Sequence, residues 1–264
     1  MTTNQEQWQK LRQFGTPETQ AAFDARLVEL RDRLLTANGY DYSKDIQPWV
    51  GSEITVAFLS SSGPSPSSST LTQSEKPLVM VVPVANPLLA KQLLDQQESQ
   101  ETWVERSYKG IEIKETPKTA DELYSTAVLS TRYLVVTNNS QATNRVIDTY
   151  QQLNPSLGST PGYREALSQI QNSQPFARMY VNLPQAAAIA SANAAKPIPP
   201  DKLAEVQQNQ GLAATVMLQP EGILFRGISW LHPQSEKLRV VENNAQMMPE
   251  LWPADTMLTI SGAT

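Results

Sequence analysis

Residues 211–231, GLAATVMLQPEGILFRGISWL, constrain the fold more than any other stretch, because two apolar runs flank the tetrapeptide QPEG. This pattern is typical of a β-hairpin in which Pro220 presets φ for the turn and Gly222 supplies a positive φ. In the second run, positions such as Phe225 alternate with positions such as Trp230, so apolar residues occur on both faces of the strand. We therefore expect this strand to lie inside a sheet rather than at its edge.

The composition narrows the range of functions before any motif is considered. The 264 residues carry a formal net charge of -5, which provides no basic surface for nucleic acid or an anionic membrane. The chain has no cysteine, which excludes disulfides, thiolate metal sites and cysteine nucleophiles. No apolar run approaches the ~20 residues that span a bilayer. Taken alone, these features predict a soluble chain of cytosolic type.

A unit made of a strand, an Asn or Pro and then a helix occurs three times. Its copies are VMVVPVANPLLAKQLLDQQ, RYLVVTNNSQATNRVIDTYQQL and ARMYVNLPQAAAIASAN. Further strands are predicted at 103–114 and 123–130, and further helices at 5–14, 17–38, 163–170 and 201–208. This order predicts an α+β fold with a mixed, mainly antiparallel sheet, helices packed on one face, and the C-terminal β-hairpin closing the sheet.

Two predictions concern how the chain is divided. Strands at 53–59 and 78–84 are expected to pair, and the Ser/Pro-rich segment 60–76 between them is predicted to be a mobile connection. No long polar linker interrupts the chain, so residues 1–252 are predicted to form one α+β domain.

The search for catalytic motifs is negative. The chain lacks the patterns G-x-G-x-x-G, G-x-x-x-x-G-K-S/T, G-x-S-x-G and H-E-x-x-H. Its single histidine, His232, follows the hairpin and is interpreted as a surface residue. Two carboxylates would suffice for glycoside hydrolysis, but alternation along a strand, as at Glu112, is typical of side chains that face solvent. We predict no enzyme and no catalytic, cofactor-binding or metal-binding residue; the carboxylates considered are Glu101, Glu105, Glu112, Glu115, Asp121 and Glu122.

Six blocks of sequence resemble one known family across essentially the whole chain. They are WQKLRQFGTPETQAAFD, DIQPWVGSEITVAFL, WVERSYKGIEIKE, YLVVTNN, QQNQGLAATVMLQPEGILFRGISWL and VVENNAQMMPELWPADTMLTISG. The family is an exported cyanobacterial one, known as domain of unknown function 3352. The resemblance implies a membrane anchor or signal before the domain and a second, weakly similar half after it. This chain would then be the N-terminal half of a membrane-anchored protein of the periplasm or thylakoid lumen.

The same resemblance gives a prediction for the C-terminus. Residues 253–264 look like the start of the following half, in which Thr256 to Ser261 would form a strand. We expect that strand to fill an edge position in its own molecule or in a neighbour, and in the second case to form a swapped homodimer.

Two functions from different classes remain open. The first is a non-enzymatic extracytoplasmic module that binds an unknown protein partner at a membrane surface. The second is a carrier of a hydrophobic ligand, a lipid or pigment, held between the sheet and its helices in a cavity of ~300 Å³ or more. The carrier hypothesis places the small-residue helix at 186–195 opposite the hairpin, and its candidate contact residues are Trp230, Phe225, Leu218, Val216 and Ala187.

Overall fold

The structure is a computed structural model that describes residues 2–14, 16, 18, 20–21, 42–60, 77–100, 103–117, 123–170, 175–193, 198–231 and 235. The predictions for most of the helix at 17–38, for nearly all of segment 60–76, for His232, for the boundary at 252 and for segment 253–264 lie outside these residues.

The described strands form two antiparallel sheets. The first has six strands in the order β1-β2-β6-β5-β4-β3, and the second has three in the order β7-β8-β9. Their bounds are β1 Thr55–Phe58, β2 Leu78–Pro83, β3 Val104–Tyr108, β4 Ile111–Glu115, β5 Ser125–Leu129, β6 Tyr133–Thr137, β7 Ala177–Val181, β8 Asn209–Gln219 and β9 Gly222–Leu231. The α+β class, the pairing of β1 with β2 and the C-terminal hairpin are confirmed.

Six α-helices connect or cover these strands in the described part of the chain. They are α1 Gln5–Arg12, α2 Pro87–Gln100, α3 Ser140–Tyr150, α4 Tyr163–Gln169, α5 Leu183–Asn193 and α6 Pro200–Gln207. A π-helical turn, Tyr42–Ile46, precedes β1, and a 3-10 turn, Leu157–Ser159, precedes α4.

Asparagine side chains mark the start of four of these helices. The side-chain oxygens of Asn4, Asn86 and Asn139 each accept hydrogen bonds from two backbone N–H groups in the first turn, and Asn182 accepts one from Gln185. These N–H groups have no partner within their own helix, so the cap stabilises each helix start by ~1 kcal/mol. The strand–Asn–helix unit predicted from the sequence is therefore confirmed at β2–α2, β6–α3 and β7–α5.

Helices cover both faces of the six-stranded sheet, which corrects the expectation that they pack on one face. Ala90 and Leu93 of α2 pack with Val82 and Leu134, together with Trp49 from the segment before β1. On the opposite face, Ala142 and Ile147 of α3 pack with Val79, Ile113, Ala127, Leu129 and Val135. Strands β2 and β6 are apolar at nearly every position, and a strand of that kind needs cover on both sides.

The hairpin β8–β9 differs from the prediction in two respects. Among the described residues β9 pairs only with β8, so it is an edge strand and β8 is the central one. Gly222 pairs with Gln219 inside the ladder and does not have a left-handed φ. A left-handed φ occurs instead in the turns of two other hairpins, at Lys109–Gly110 between β3 and β4 and at Ser130–Thr131 between β5 and β6.

The N-terminal segment contacts both sheets. Thr2 forms a β-bridge with Glu53 and donates its backbone N–H to the carbonyl of Phe176, at a distance of 2.9 Å. The Trp8 ring meets Phe176 edge to face with centroids 4.8 Å apart. Arg178 of β7 forms an ion pair with Glu53 at 2.7 Å. These contacts place the start of β7 beside the segment that leads into β1.

Candidate functional site

One face of the three-stranded sheet contains no charged side chain. The register pairs Val216 with both Ala177 and Phe225, and Ala214 with both Met179 and Gly227, so these residues share a face. We call it the uncharged face; its members are Ala177, Met179, Val181, Leu212, Ala214, Val216, Leu218, Ile223, Phe225, Gly227 and Ser229.

Much of the uncharged face is open to solvent. Phe225 is 66% exposed and Met179 is 53% exposed, and Leu212 is also exposed. Only Val216 is buried among its members. A solvent-exposed group of large apolar side chains with no charge among them is typical of a surface that contacts another molecule.

The opposite face of the same sheet is closed by α4 and an aromatic group. Ala166 of α4 and Ile170, which follows this helix, pack on Ala213, and the hydroxyl of Thr215 donates to the carbonyl of Ile170. The rings of Tyr180 and Trp230 stack with centroids 6.2 Å apart, and Tyr163 meets Tyr180 edge to face at 5.0 Å. Burial raises the pKa of both tyrosines above the ordinary value.

Two glycines make room for the Trp230 indole. A Cβ at Gly162 or at Gly211 would lie 2.5 Å from atoms of that ring, too close for any side chain. Gly162 also has a φ of 75°, a conformation that favours glycine. The Trp230 Nε1 donates to the carbonyl of Pro161 at 3.1 Å. The indole is therefore held on three sides, as expected of a residue that stabilises the fold.

The five residues predicted to contact a ligand do not share one surface. Val216, Leu218 and Phe225 lie on the uncharged face, whereas Trp230 belongs to the opposite face. Ala187 lies in α5, a helix that contacts β8 and α6. The alternation of the strand separates Trp230 from the other three hairpin residues.

Beside the uncharged face, the edge of β9 offers backbone N–H and C=O groups that an added strand could pair with. Its sequence GILFRGISWL has one charged residue, Arg226, and no proline or lysine, the residues that commonly protect an edge strand. Phe225 projects beside this edge. An extended chain that paired with β9 would therefore also cover part of the uncharged face.

A second candidate site is a cleft in the other half of the molecule. It has a volume of about 710 Å³ and lies between α2 and strands β4, β5 and β6. Buried side chains of Trp49, Ala90 and Leu134 contribute to its apolar lining, and Leu94 and Val128 extend it. Helix α2 covers the sheet above β2 and β6 but leaves β4 and β5 less covered on this face, since Val128 is 41% exposed.

The charged residues that line the cleft form ion pairs within their own elements. Lys91 and Asp95 of α2 are 2.9 Å apart, one turn from each other, and Lys114 lies 3.8 Å from Glu112 on β4. These four described residues contribute two positive and two negative charges to the lining. The cleft thus has a polar margin in which each charge has a counter-charge nearby.

Trp103 lines the cleft just before β3, and the sequence analysis treated it only as the start of a strand. Its Nε1 is buried and has no hydrogen-bond acceptor in the structure. An indole N–H in such a place normally has a partner, because leaving a buried donor unpaired costs ~1–3 kcal/mol. The sequence of β5 contained a signal for the cleft, since apolar Val128 shares a face with the polar residues Thr126 of β5 and Lys114 of β4.

The carboxylates differ in their surroundings. Glu112 is exposed, as predicted for the solvent side of β4, whereas Glu115 is mostly buried beneath α3. It accepts from Arg106 at 2.9 Å and from the Ser125 hydroxyl at 2.9 Å, and Thr143 donates to Ser125. Burial alone raises the pKa of Glu115, but the hydrogen bonds from Arg106, Ser140 and Ser125 outweigh it and hold that pKa below its ordinary value.

This network stabilises the structure by joining β3, β4 and β5 to α3. Arg106 also donates to Asn144 and to the carbonyl of Ser140, which attaches β3 to α3. No group of three or more metal-ligating side chains occurs among the described residues. Glu101, Asp121 and Glu122 lie outside the described part of the chain.

The fold and its surfaces define an α+β protein with two antiparallel sheets and two apolar surfaces open to other molecules. The chain belongs to the family described as protein of unknown function (DUF3352), whose model matches residues 1–264. A comparison with curated proteins found no match. Within the ranges that the structure describes, none of the helices has the length and apolar character needed to traverse a bilayer.

Proposed function

We propose that this chain is a non-enzymatic binding module that recognises an extended segment of a protein partner through β9 and the uncharged face. The observation that carries the proposal is the combination, on β9, of the exposed Phe225 and an edge that pairs with no other strand among the described residues. Pairing with β9 would satisfy backbone groups of the edge, and alternate side chains of the added segment would cover the uncharged face.

The expected location of this module is outside the cytoplasm, next to a membrane. The proposal rests on the resemblance stated above. Cell fractionation with an antibody against the full-length protein tests it: recovery with periplasmic or thylakoid membranes supports the location, and recovery in the cytoplasm contradicts it.

The binding proposal is tested by site-specific photocrosslinking in the full-length protein. A photoreactive phenylalanine analogue replaces Phe225 in one variant and Tyr133 in the control, because both are exposed aromatic residues on strands but β6 is an interior strand. We expect a discrete crosslinked product only from position 225. Adding Met179→Ser should reduce its yield, since Met179 lies on the same face and is exposed.

The mass of the product distinguishes the partners. A product of the mass of this chain plus another protein supports the proposal. A product of twice the chain mass shows a homodimer through β9 and contradicts a separate partner. Equal crosslinking from 133 and 225, or none from 225, contradicts a role for the uncharged face.

The cleft beneath α2 favours a second function, that of a carrier for a hydrophobic ligand. Its volume of about 710 Å³ lies within the range of known ligand pockets, ~300–1,000 Å³. This site differs from the predicted one, which placed the ligand against α5. Mass spectrometry of the protein purified under mild conditions tests this function: a co-purifying hydrophobic molecule supports it, and an unliganded spectrum contradicts it.

A further inference from the structure

We propose that the cleft between α2 and the six-stranded sheet selects uncharged, mainly apolar molecules that carry an oxygen able to accept a hydrogen bond, and that Trp103 is the donor. The inference rests on the carrier function proposed above and adds the chemical class of the ligand and the residue that recognises it.

The apolar part of the ligand follows from the lining. The base of the cleft is formed by three residues that the protein itself already buries almost completely: Trp49, Ala90 and Leu134. The Nε1 of Trp49 donates to the carbonyl of Asp45 at 2.7 Å, so this indole presents no free donor. Contact with this base favours hydrocarbon over polar groups, because each buried CH₂ stabilises binding by ~0.8 kcal/mol.

The preference for an uncharged ligand follows from the two ion pairs that line the cleft. Lys91 has Asp95 as its counter-ion, and Lys114 has Glu112. A ligand carboxylate or ammonium group would enter an apolar cleft and have to compete for one of these charges. Burying an ion without a partner is far more costly than burying a neutral group, so the cleft should discriminate against charged molecules.

The accepting oxygen follows from Trp103. Trp103 lines the cleft, and its Nε1 is buried with no acceptor among the described residues. A hydroxyl or carbonyl oxygen of a ligand bound against the indole would supply one. The contrast with Trp8, Trp49 and Trp230, whose Nε1 atoms donate to backbone carbonyls, sets Trp103 apart among the described tryptophans.

The test uses displacement of Nile red, an uncharged fluorescent dye, by three twelve-carbon compounds: dodecanol, dodecane and dodecanoate. We expect dodecanol to bind more tightly than dodecane by about threefold to tenfold, the range of one net hydrogen bond. Dodecanoate should bind at least about tenfold more weakly than dodecanol, because its charge must be desolvated.

Two pairs of variants locate the site and the donor. Val128→Glu places a charge in the cleft and should lower Nile red affinity by about tenfold or more, whereas Val104→Glu, at an exposed valine outside the cleft lining on the same sheet, should leave it unchanged. Trp103→Phe keeps an aromatic wall but removes the donor, and should abolish the preference for dodecanol over dodecane. Trp8→Phe is its control. Melting curves confirm that each variant is folded.

The outcomes separate the two levels of the proposal. If Val128→Glu leaves Nile red affinity unchanged, the dye does not bind in the cleft and the carrier function fails with the inference. If the dye binds there but dodecanoate binds as tightly as dodecanol, the carrier function stands and the ligand class proposed here is wrong. If Trp103→Phe keeps the dodecanol preference, Trp103 is not the donor.

Discussion

The two sheets of this molecule are covered in different ways. In the six-stranded sheet α2 and α3 lie against opposite faces, and part of one face, above β4 and β5, is accessible as a cleft. In the three-stranded sheet α4 and an aromatic group close one face, whereas Phe225 and Met179 on the other are exposed. The larger sheet thus presents a cleft and the smaller one an exposed face and an edge, and each of the two proposed functions rests on one of these surfaces.

The largest expected effect is in the core of the six-stranded sheet. Ile147 of α3 is fully buried against β4, β5 and β6. We expect Ile147→Ala to lower the free energy of unfolding by about 4 kcal/mol, because it creates a cavity in a packed core. Urea denaturation measures the change, with Gln141→Ala, at an exposed position of the same helix, as the control. A loss below about 1 kcal/mol would show that α3 does not hold this face closed.

A smaller loss is expected on the covered face of the three-stranded sheet. Trp230 is partly buried, so Trp230→Ala should cost about 2–3 kcal/mol, somewhat below the range for a fully buried tryptophan. Gly211→Ala should destabilise the original protein because its Cβ would lie 2.5 Å from the indole. It should have little effect once Trp230 is alanine. A double-mutant cycle measures the coupling, and additive losses would contradict the close packing of Gly211 and Trp230.

A still smaller and pH-dependent loss in the free energy of unfolding is expected for substitution of Glu115. Its pKa is lowered in the folded state, so its contribution to stability is present above its ordinary pKa and is lost as the pH falls through the lowered one. Glu115→Gln should cost about 1–2 kcal/mol at neutral pH, as for a hydrogen-bonded charged group. The difference from the unmodified protein should shrink on acidification. Denaturation across the acid range checks this, with exposed Glu112→Gln as control; a constant difference would contradict it.

The smallest effect is expected at the uncharged face. Phe225→Ala should change the free energy of unfolding by no more than about 0.5 kcal/mol, because the ring is 66% exposed. If this substitution costs as much as Trp230→Ala, the two faces of the small sheet are equally covered. The contrast on which the proposed binding surface depends would then be lost.

Local features were predictable because they depend on neighbours in sequence. Asn86, Asn139 and Asn182 cap helices through bonds to N–H groups two or three residues away, and the period of the strands is set by the backbone itself. The hairpin β8–β9 follows from two apolar runs on either side of Pro220 and Glu221. For these elements the chain contains both partners of each interaction within a short segment.

The coverage of each face depended on the tertiary structure, because it is set by segments far apart in the chain. The exposure of Phe225 and the edge position of β9 depend on which strands and helices pack beside the hairpin, and alternation alone predicted β9 to lie inside a sheet. The cleft exists because α2 covers β2 and β6 more fully than β4 and β5, and Trp103 lines it from a different part of the chain. The sequence by itself determined the elements, their order and their apolar positions; the long-range packing decided which of those positions meet another part of the protein and which remain available for binding.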